Sequence, residues 1–185
     1  VPKPANVMLP DTGKAKTTFT RNELRGHIDW DFLDRLRDQW QGKLILKGVM
    51  SPADAVRIRD AGADAVYVSN HGGRQLDAAP PAIDLLPTIR DAVGSDYPLI
   101  FDSGVRSGEG IVKSLALGAD FVLLGRAFLY AAGAAGERGV FRLVDLLSEQ
   151  VALTLAQIGC PDVGKVDRNA LAVAEARDRP GPGSD

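Results

Sequence analysis

The chain has 185 residues and a mass of 19.7 kDa, with 45% apolar and 25% charged residues, which is the composition of one ordinary soluble domain. Its 22 basic and 24 acidic residues leave a net charge of −2, so no overall positive field would attract nucleic acid or an acidic membrane surface. A single cysteine, Cys160, excludes an internal disulfide and has no second cysteine at the spacing of a metal site. A cytoplasmic location is therefore expected. We therefore expect a small-molecule site.

The two ends of the chain differ in composition from its middle. Residues 1–26 are polar and rich in Pro, Lys and Thr, which predicts a mobile loop, while residues 27–160 carry regular apolar patterns. Residues 161–185 are predicted to be a C-terminal extension with a disordered tail, RDRPGPGSD. The polar start without an initiator methionine indicates a piece of a longer product.

Taken in chain order, the first predicted element is a helix. Asp29 can cap it, apolar residues follow at helical spacing, and Gly42 ends it. Four short apolar runs come next, at 44–46, 65–68, 99–101 and 121–124, and each is apolar on both faces, as buried parallel strands are. Helices are predicted at 52–61, 81–93, 107–117 and 140–158.

The four β-α units also contain an internal repeat. The string AGADAV at residues 61–66 matches LGADFV at residues 117–122, with Gly62 and Gly118 expected to end the preceding helices. Parallel strands with helical crossovers form an open doubly wound sheet or half of a (β/α)8 barrel. The pattern itself leaves both architectures open.

Polar and glycine-rich residues follow every predicted strand, at the edge where parallel α/β folds bind ligands. Lys47 follows the first strand, where burial of its ammonium is costly unless a negative partner compensates it. We interpret it as a fixed positive charge beside a ligand that becomes anionic during reaction.

The loop after the second strand carries His71 and Arg74, separated by two glycines. Histidine can accept a proton near neutral pH, and the planar guanidinium of arginine binds a carboxylate through two hydrogen bonds. This pair predicts a base beside a carboxylate clamp. We expect Asp77 to pair with Arg74 or to cap the next helix, rather than to be a second acid–base group, and we assign no role to His27.

The third and fourth strands are each followed by a segment with glycine and arginine, DSGVR at 102–106 and Gly125-Arg126. Backbone N–H groups at helix starts, together with two arginines, are suited to hold a phosphate. Such sites after the last two strands are typical of barrels, which favours the barrel over the open sheet.

The string SNHGGRQLD, from Ser69 to Asp77, resembles the active-site motif of the FMN-dependent 2-hydroxy acid dehydrogenases and oxidases, the family of glycolate oxidase, L-lactate dehydrogenase and mandelate dehydrogenase. LILKG at 44–48, DSGVR and LGR at 124–126 match in the same order, so the resemblance covers about residues 27–160. It implies the C-terminal half of a (β/α)8 TIM barrel, strands five to eight. It also implies bound FMN and oxidation of an L-2-hydroxy acid, such as lactate, to the 2-oxo acid.

The resemblance also implies a role for individual residues. His71 would be the catalytic base, Arg74 would bind the substrate carboxylate, and Lys47 would stabilise the reduced flavin. Ser69 would lie near the flavin and Asp102 near its ribityl chain. The phosphate would be held by Gly104, Arg106, Gly125 and Arg126.

The chain departs from the family in two respects. Ser103 stands where the family often has glycine, and the first four barrel strands are missing. We expect the chain to begin at or near a break in the loop after strand four and to need the N-terminal half of the same barrel for activity. A homo-oligomer is expected, whereas residues 1–26 contain too few apolar side chains to predict membrane attachment.

Two other functions stay open. The chain could be an isolated, non-catalytic half barrel that serves as a folding or assembly unit. It could also belong to another FMN-binding or phosphate-binding barrel, such as a relative of type 2 isopentenyl diphosphate isomerase or IMP dehydrogenase. The adjacent His71 and Arg74 argue against this last alternative.

Overall fold

The computed structural model describes residues 28–171, and contacts divide the chain into two units, Val1–Gln39 and Trp40–Asp185. The described part of the first unit is mainly helix α1 (Trp30–Gln39). Asp29 Oδ1 accepts a hydrogen bond from the Phe32 amide at 2.8 Å, which confirms the predicted cap. The predicted loop over residues 1–26, His27 and the tail over residues 177–185 lie outside the described residues.

The second unit alternates strands and helices. These are β1 (Ile45–Val49), α2 (Pro52–Asp60), β2 (Ala65–Val68), α3 (Ala82–Val93), β3 (Leu99–Phe101), α4 (Gly108–Ala116), β4 (Phe121–Val122) and α5 (Arg126–Gln157). The strands form one parallel sheet in the order β1-β2-β3-β4. Within residues 40–171, short 3-10 turns cover His71–Gly73, Val163–Lys165 and Arg168–Ala170. The predicted β-α units and their parallel arrangement are confirmed.

The helix boundaries follow from capping residues. Ser51 precedes Pro52 and accepts a bond from the Asp54 amide, and Ser107 accepts one from the Gly110 amide at 3.2 Å. The repeated glycine does end α4, since Gly118 has a φ of +109° just after the helix. A Cβ at this position would lie 2.6 Å from Arg90 Cγ, so glycine is required there for packing as well.

Arg90, near the end of α3, joins several chain segments at the amino end of the sheet. Its guanidinium donates to the carbonyl oxygens of Gly94 and Tyr97, both at 2.7 Å, and to that of Gly118 at 2.8 Å. It also pairs with Asp120, and its side chain is only 11% exposed. These bonds tie the turns that enter β3 and β4 to one side chain.

The core lies around the two central strands. Val66, Val68, Leu99 and Phe101 are completely buried. The outer strands differ, because Ile45 of β1 is 48% exposed and Phe121 of β4 is 60% exposed. The prediction that all four strands are buried on both faces was therefore wrong for β1 and β4. Each of them pairs with a single strand among the described residues.

Helix α5 (Arg126–Gln157) consists of two helical segments that meet at a kink; the second contains most of the helix predicted at 140–158, whereas the first was not predicted. The residues before Val140 are mostly alanine and glycine, so they lack the apolar periodicity that marks a helix. Non-helical dihedral angles at Ala135 and Gly136 kink it. Among residues 28–171, no helix is both long enough and apolar enough to cross a membrane.

Candidate active site

A cavity of about 250 Å³ lies at the carboxyl ends of the four strands. All but one of the nine predicted site residues line it, namely Lys47, His71, Arg74, Asp102, Gly104, Arg106, Gly125 and Arg126. The ninth, Ser69, is 2% exposed and lies beside the cavity, where its hydroxyl accepts a bond from Lys47. The structure therefore brings the predicted residues together, because parallel strands place their following loops at one edge.

Lys47 and Asp102 form an ion pair, with 2.8 Å between Nζ and Oδ2. The same ammonium donates to Ser69 Oγ at 2.8 Å and lies 4.0 Å from the centre of the Tyr67 ring, close enough for a cation–π contact. The Lys47 side chain is 46% exposed, so the predicted burial was wrong. The negative partner that burial would have required is nevertheless present, in the chain itself.

Asp102 accepts hydrogen bonds at both carboxylate oxygens. Tyr67 donates its hydroxyl to Oδ2 and Ser103 donates its hydroxyl to Oδ1, both at 2.7 Å. Partial burial by itself raises the pKa of Asp102, but hydrogen bonds from Lys47 and the surrounding hydroxyl groups outweigh it and hold the pKa below its ordinary value. Asp102 therefore stays ionised at neutral pH, and its ion pair holds the Lys47 side chain beside the cavity.

Tyr67 is a site residue that the sequence reasoning missed. It lies in β2, in register with Lys47 of β1, and burial and the neighbouring Asp102 raise its pKa. A tyrosine inside an otherwise apolar strand indicates a polar partner for its hydroxyl. The strand register that supplies this partner cannot be read from the sequence.

The loop from Ser69 to Gly73 is held by its own side chains. Ser69 Oγ accepts from the His71 amide at 3.1 Å, and Asn70 Oδ1 accepts from the Gly73 amide at 3.3 Å. Asn70 also donates to the Pro80 carbonyl oxygen at 3.1 Å. His71 has a φ of +57°, which is uncommon for a residue with a Cβ. This backbone presents the exposed imidazole to the cavity.

Three arginines surround the cavity. Arg126 Nη2 lies 3.5 Å from the Gly72 carbonyl oxygen, so it reaches across to the His71 loop. Within residues 28–171, neither Arg74 nor Arg106 forms an ion pair, which leaves both guanidinium groups available to an anion. Asp77 does not pair with Arg74, and Pro81 is the N-cap residue of α3 without any side-chain capping bond, so both expectations for Asp77 were wrong.

The residues after β3 and β4 are suited to a phosphate such as that of FMN. A Cβ built at Gly104 or Gly125 would meet no atom within 4 Å, so the backbone there is open to a ligand. Gly125 precedes the first turn of α5, and no side chain caps that helix. Uncapped N–H groups beside Arg106 and Arg126 have the chemistry to bind an anion. In the part of the chain that the structure describes, no group of three His, Cys, Asp or Glu side chains could hold a metal ion.

A family model described as FMN-dependent dehydrogenase matches residues 3–173. L-lactate dehydrogenase of Caulobacter sp. (strain K31) is 50% identical over 145 residues, which are 78% of this chain and 38% of that protein. L-lactate dehydrogenase of Yersinia pestis (strain Pestoides F) is 45% identical over 148 residues, which are 80% and 39% of the two chains.

Solved structures give the same relationship. A soluble mutant of the membrane-associated (S)-mandelate dehydrogenase from Pseudomonas putida superposes with a TM-score of 0.75 at 48% identity, over 78% of this chain and 41% of that one. The chain thus spans about two fifths of the length of these relatives. Since the family model covers nearly the whole chain, the resemblance of its motifs is confirmed, and the protein belongs to the FMN-dependent dehydrogenase family.

Proposed function

We propose that the chain supplies the catalytic half of an FMN-dependent enzyme that oxidises a lactate-like L-2-hydroxy acid to the 2-oxo acid. One observation carries the proposal: His71 and Arg74 share a cavity of about 250 Å³ with the anion site of Arg106 and Arg126. A base, a carboxylate clamp and a phosphate site in one cavity are what such an enzyme needs. The relatives named L-lactate dehydrogenase and (S)-mandelate dehydrogenase support this substrate class.

In the proposed reaction the substrate loses two electrons and two protons, one proton from C2 and one from its hydroxyl group. Arg74 binds the carboxylate and thereby fixes the position of C2 relative to the neighbouring His71. The imidazole takes one of the two protons. Bound FMN would supply the acceptor for the electron pair and the second proton.

Lys47 has the chemistry for the edge of the flavin that gains negative charge. An ammonium has three N–H donors, and the bonds to Ser69 and Asp102 use two of them. The third remains for a ligand oxygen or nitrogen. Because Asp102 fixes the ammonium, the positive charge is in place before the reaction begins.

We also propose that the four-stranded sheet is the C-terminal half of a (β/α)8 barrel. The strand order follows the sequence without the reversal of a doubly wound sheet. The exposed Ile45 and Phe121 mark the two outer strands at which an N-terminal half would complete the barrel. Activity then requires both halves, and we expect a cytoplasmic enzyme that forms a homo-oligomer.

The test is the substitution His71→Gln, with His27→Gln as the matched control at the other histidine of the chain. In the complete FMN-loaded protein, His71→Gln should retain bound FMN and lose flavin reduction by L-lactate and (S)-mandelate under anaerobic conditions. His27→Gln should reduce flavin as the wild type does. Retained reduction in His71→Gln would remove this residue from the role of base.

A second candidate function is a non-catalytic assembly unit, and the exposed apolar side chains of Ile45 on β1 and Phe121 on β4 favour it. Flavin colour separates the two candidates. A purified protein with a flavin absorption band supports the enzyme, whereas a colourless protein that stays colourless after addition of FMN supports the assembly unit. The mass of the native species then shows whether the 19.7 kDa chain is alone, self-associated or joined to another polypeptide.

A further inference from the structure

Ser103, directly after Asp102, has a backbone that serine rarely adopts. Its φ is +86°, and among residues 28–171 only His71 is also a non-glycine residue with positive φ. A residue with a Cβ is strained in this region, and strain of this kind persists only where the surrounding contacts hold it. The contacts that hold Ser103 therefore indicate what it does.

The hydroxyl of Ser103 joins two strand ends. It donates to Asp102 Oδ1 at 2.7 Å and accepts from the backbone amides of Asn70 and Gly72, both at 3.2 Å. A serine hydroxyl has one donor and two acceptor lone pairs, so these three bonds can use its full capacity, and Ser69 Oγ lies 3.5 Å from the same hydroxyl. The two amides flank His71 in the chain, and the bond to Asp102 connects them to the ion pair with Lys47.

We propose that Ser103 is a positioning residue that holds the His71 loop against Asp102. Its hydroxyl fixes the backbone on both sides of His71, so that the imidazole faces the substrate carbon while Arg74 holds the carboxylate. The hydroxyl lies between the two strand ends only because the backbone of Ser103 adopts the strained left-handed conformation. The catalytic part of this role depends on the proposed function, whereas the loop-holding part does not.

Two substitutions separate the hydroxyl from the backbone strain. Ser103→Gly removes the hydroxyl and relieves the strain, because glycine adopts a φ of +86° freely. Ser103→Ala removes the hydroxyl and keeps the strain. In both variants the amides of Asn70 and Gly72 lose their acceptor. If the hydroxyl holds the loop, both variants should loosen the loop to the same extent. If the backbone conformation of Ser103 is what matters, the two variants should differ.

The loop-holding role is tested by amide hydrogen exchange of the full chain, measured by NMR. Both variants should exchange about tenfold faster at Asn70 and Gly72. Exchange should be unchanged at Ala119, whose amide bonds to Ser114 elsewhere in the fold. Unchanged exchange at the two loop amides, or a change in only one of the two variants, would overturn the proposal.

The catalytic consequence is tested in the complete FMN-loaded enzyme with L-lactate and (S)-mandelate. Both variants should lower kcat about tenfold or more while KM changes less than about threefold, because the base is displaced and the carboxylate clamp is not. Ser107→Ala is the matched control, since it removes a nearby serine hydroxyl that caps α4 without contacting the loop. It should leave kcat unchanged.

The outcomes distinguish this inference from the proposed function. A wild-type enzyme that oxidises neither acid contradicts the proposed function, and hydrogen exchange still decides whether Ser103 holds the loop. An active wild-type enzyme whose Ser103 variants keep kcat, or raise only KM, contradicts the positioning role and leaves the proposed function standing.

Discussion

Replacing Asp102 with asparagine should weaken the structure around the cavity in a pH-dependent way. The carboxylate accepts from Lys47 at 2.8 Å and from Tyr67 and Ser103 at 2.7 Å. Asparagine keeps the shape but removes the charge and turns an NH₂ group toward at least one of these donors. A hydrogen bond to a charged group contributes about 1.5–3 kcal/mol. Since the Lys47 side chain is 46% exposed, we expect a loss near the lower end, about 2 kcal/mol.

The assay is urea-induced unfolding followed by circular dichroism, with the wild type and Asp102→Asn compared between pH 7 and pH 3. Folding lowers the pKa of Asp102 from its ordinary value of 3.8, so its stabilisation is complete above about pH 5 and disappears as the pH falls through the folded-state pKa. The difference in the free energy of unfolding between the wild type and Asp102→Asn should therefore become smaller as the pH falls toward 3. Asp91→Asn, which removes an exposed pair with Arg168, is the control and should cost under about 0.5 kcal/mol. Equal stability of Asp102→Asn and the wild type at pH 7, or a difference that does not change with pH, would refute the reasoning.

Three further substitutions test neighbouring contacts. Tyr67→Phe removes the bond to Asp102 but keeps the ring beside Lys47, so urea unfolding should show a loss of about 1 kcal/mol; an unchanged midpoint would mean that the hydroxyl contributes nothing. Gly72→Ala places a Cβ 3.2 Å from Arg126 Nη2 at a φ of +64°. The free energy of unfolding should therefore fall by about 1 kcal/mol or more, whereas the same substitution at an unstrained glycine would raise it slightly. Arg126→Met should raise the Kd for FMN about tenfold in a fluorescence titration, and an unchanged Kd would place the phosphate elsewhere.

The position of the site could be predicted from the sequence because it depends on local patterns. Short apolar runs separated by helices place every following loop at one edge of a parallel sheet. His71, Arg74 and Arg126 therefore meet in space although up to 55 residues separate them in the chain, as the 3.5 Å approach of Arg126 to the Gly72 carbonyl oxygen illustrates.

The interactions within the site depend on which residues of neighbouring strands lie side by side, and no local sequence pattern contains that information. Tyr67 reaches Asp102 because β2 lies beside β3, and Ser103 contacts the His71 loop because its backbone turns left-handed. The exposure of Phe121 has a different origin, since the apolar run at 121–124 is typical of a buried strand and says nothing about whether a neighbour covers it. The early start of α5 was missed because alanine and glycine show little periodicity.

The Arg90 cluster lies at the opposite end of the strands from the cavity. It holds together the turns before β3 and β4, whereas Asp102 and Arg126 follow those same strands. Within residues 28–171, no hydrogen bond or ion pair joins the Arg90 cluster to Asp102 or Arg126. The fold therefore has one end whose side-chain bonds maintain its architecture and another end that carries the candidate ligand site. The loops at the cavity end can therefore change in sequence, by selection or by design, without breaking the hydrogen bonds through which Arg90 holds the turns before β3 and β4.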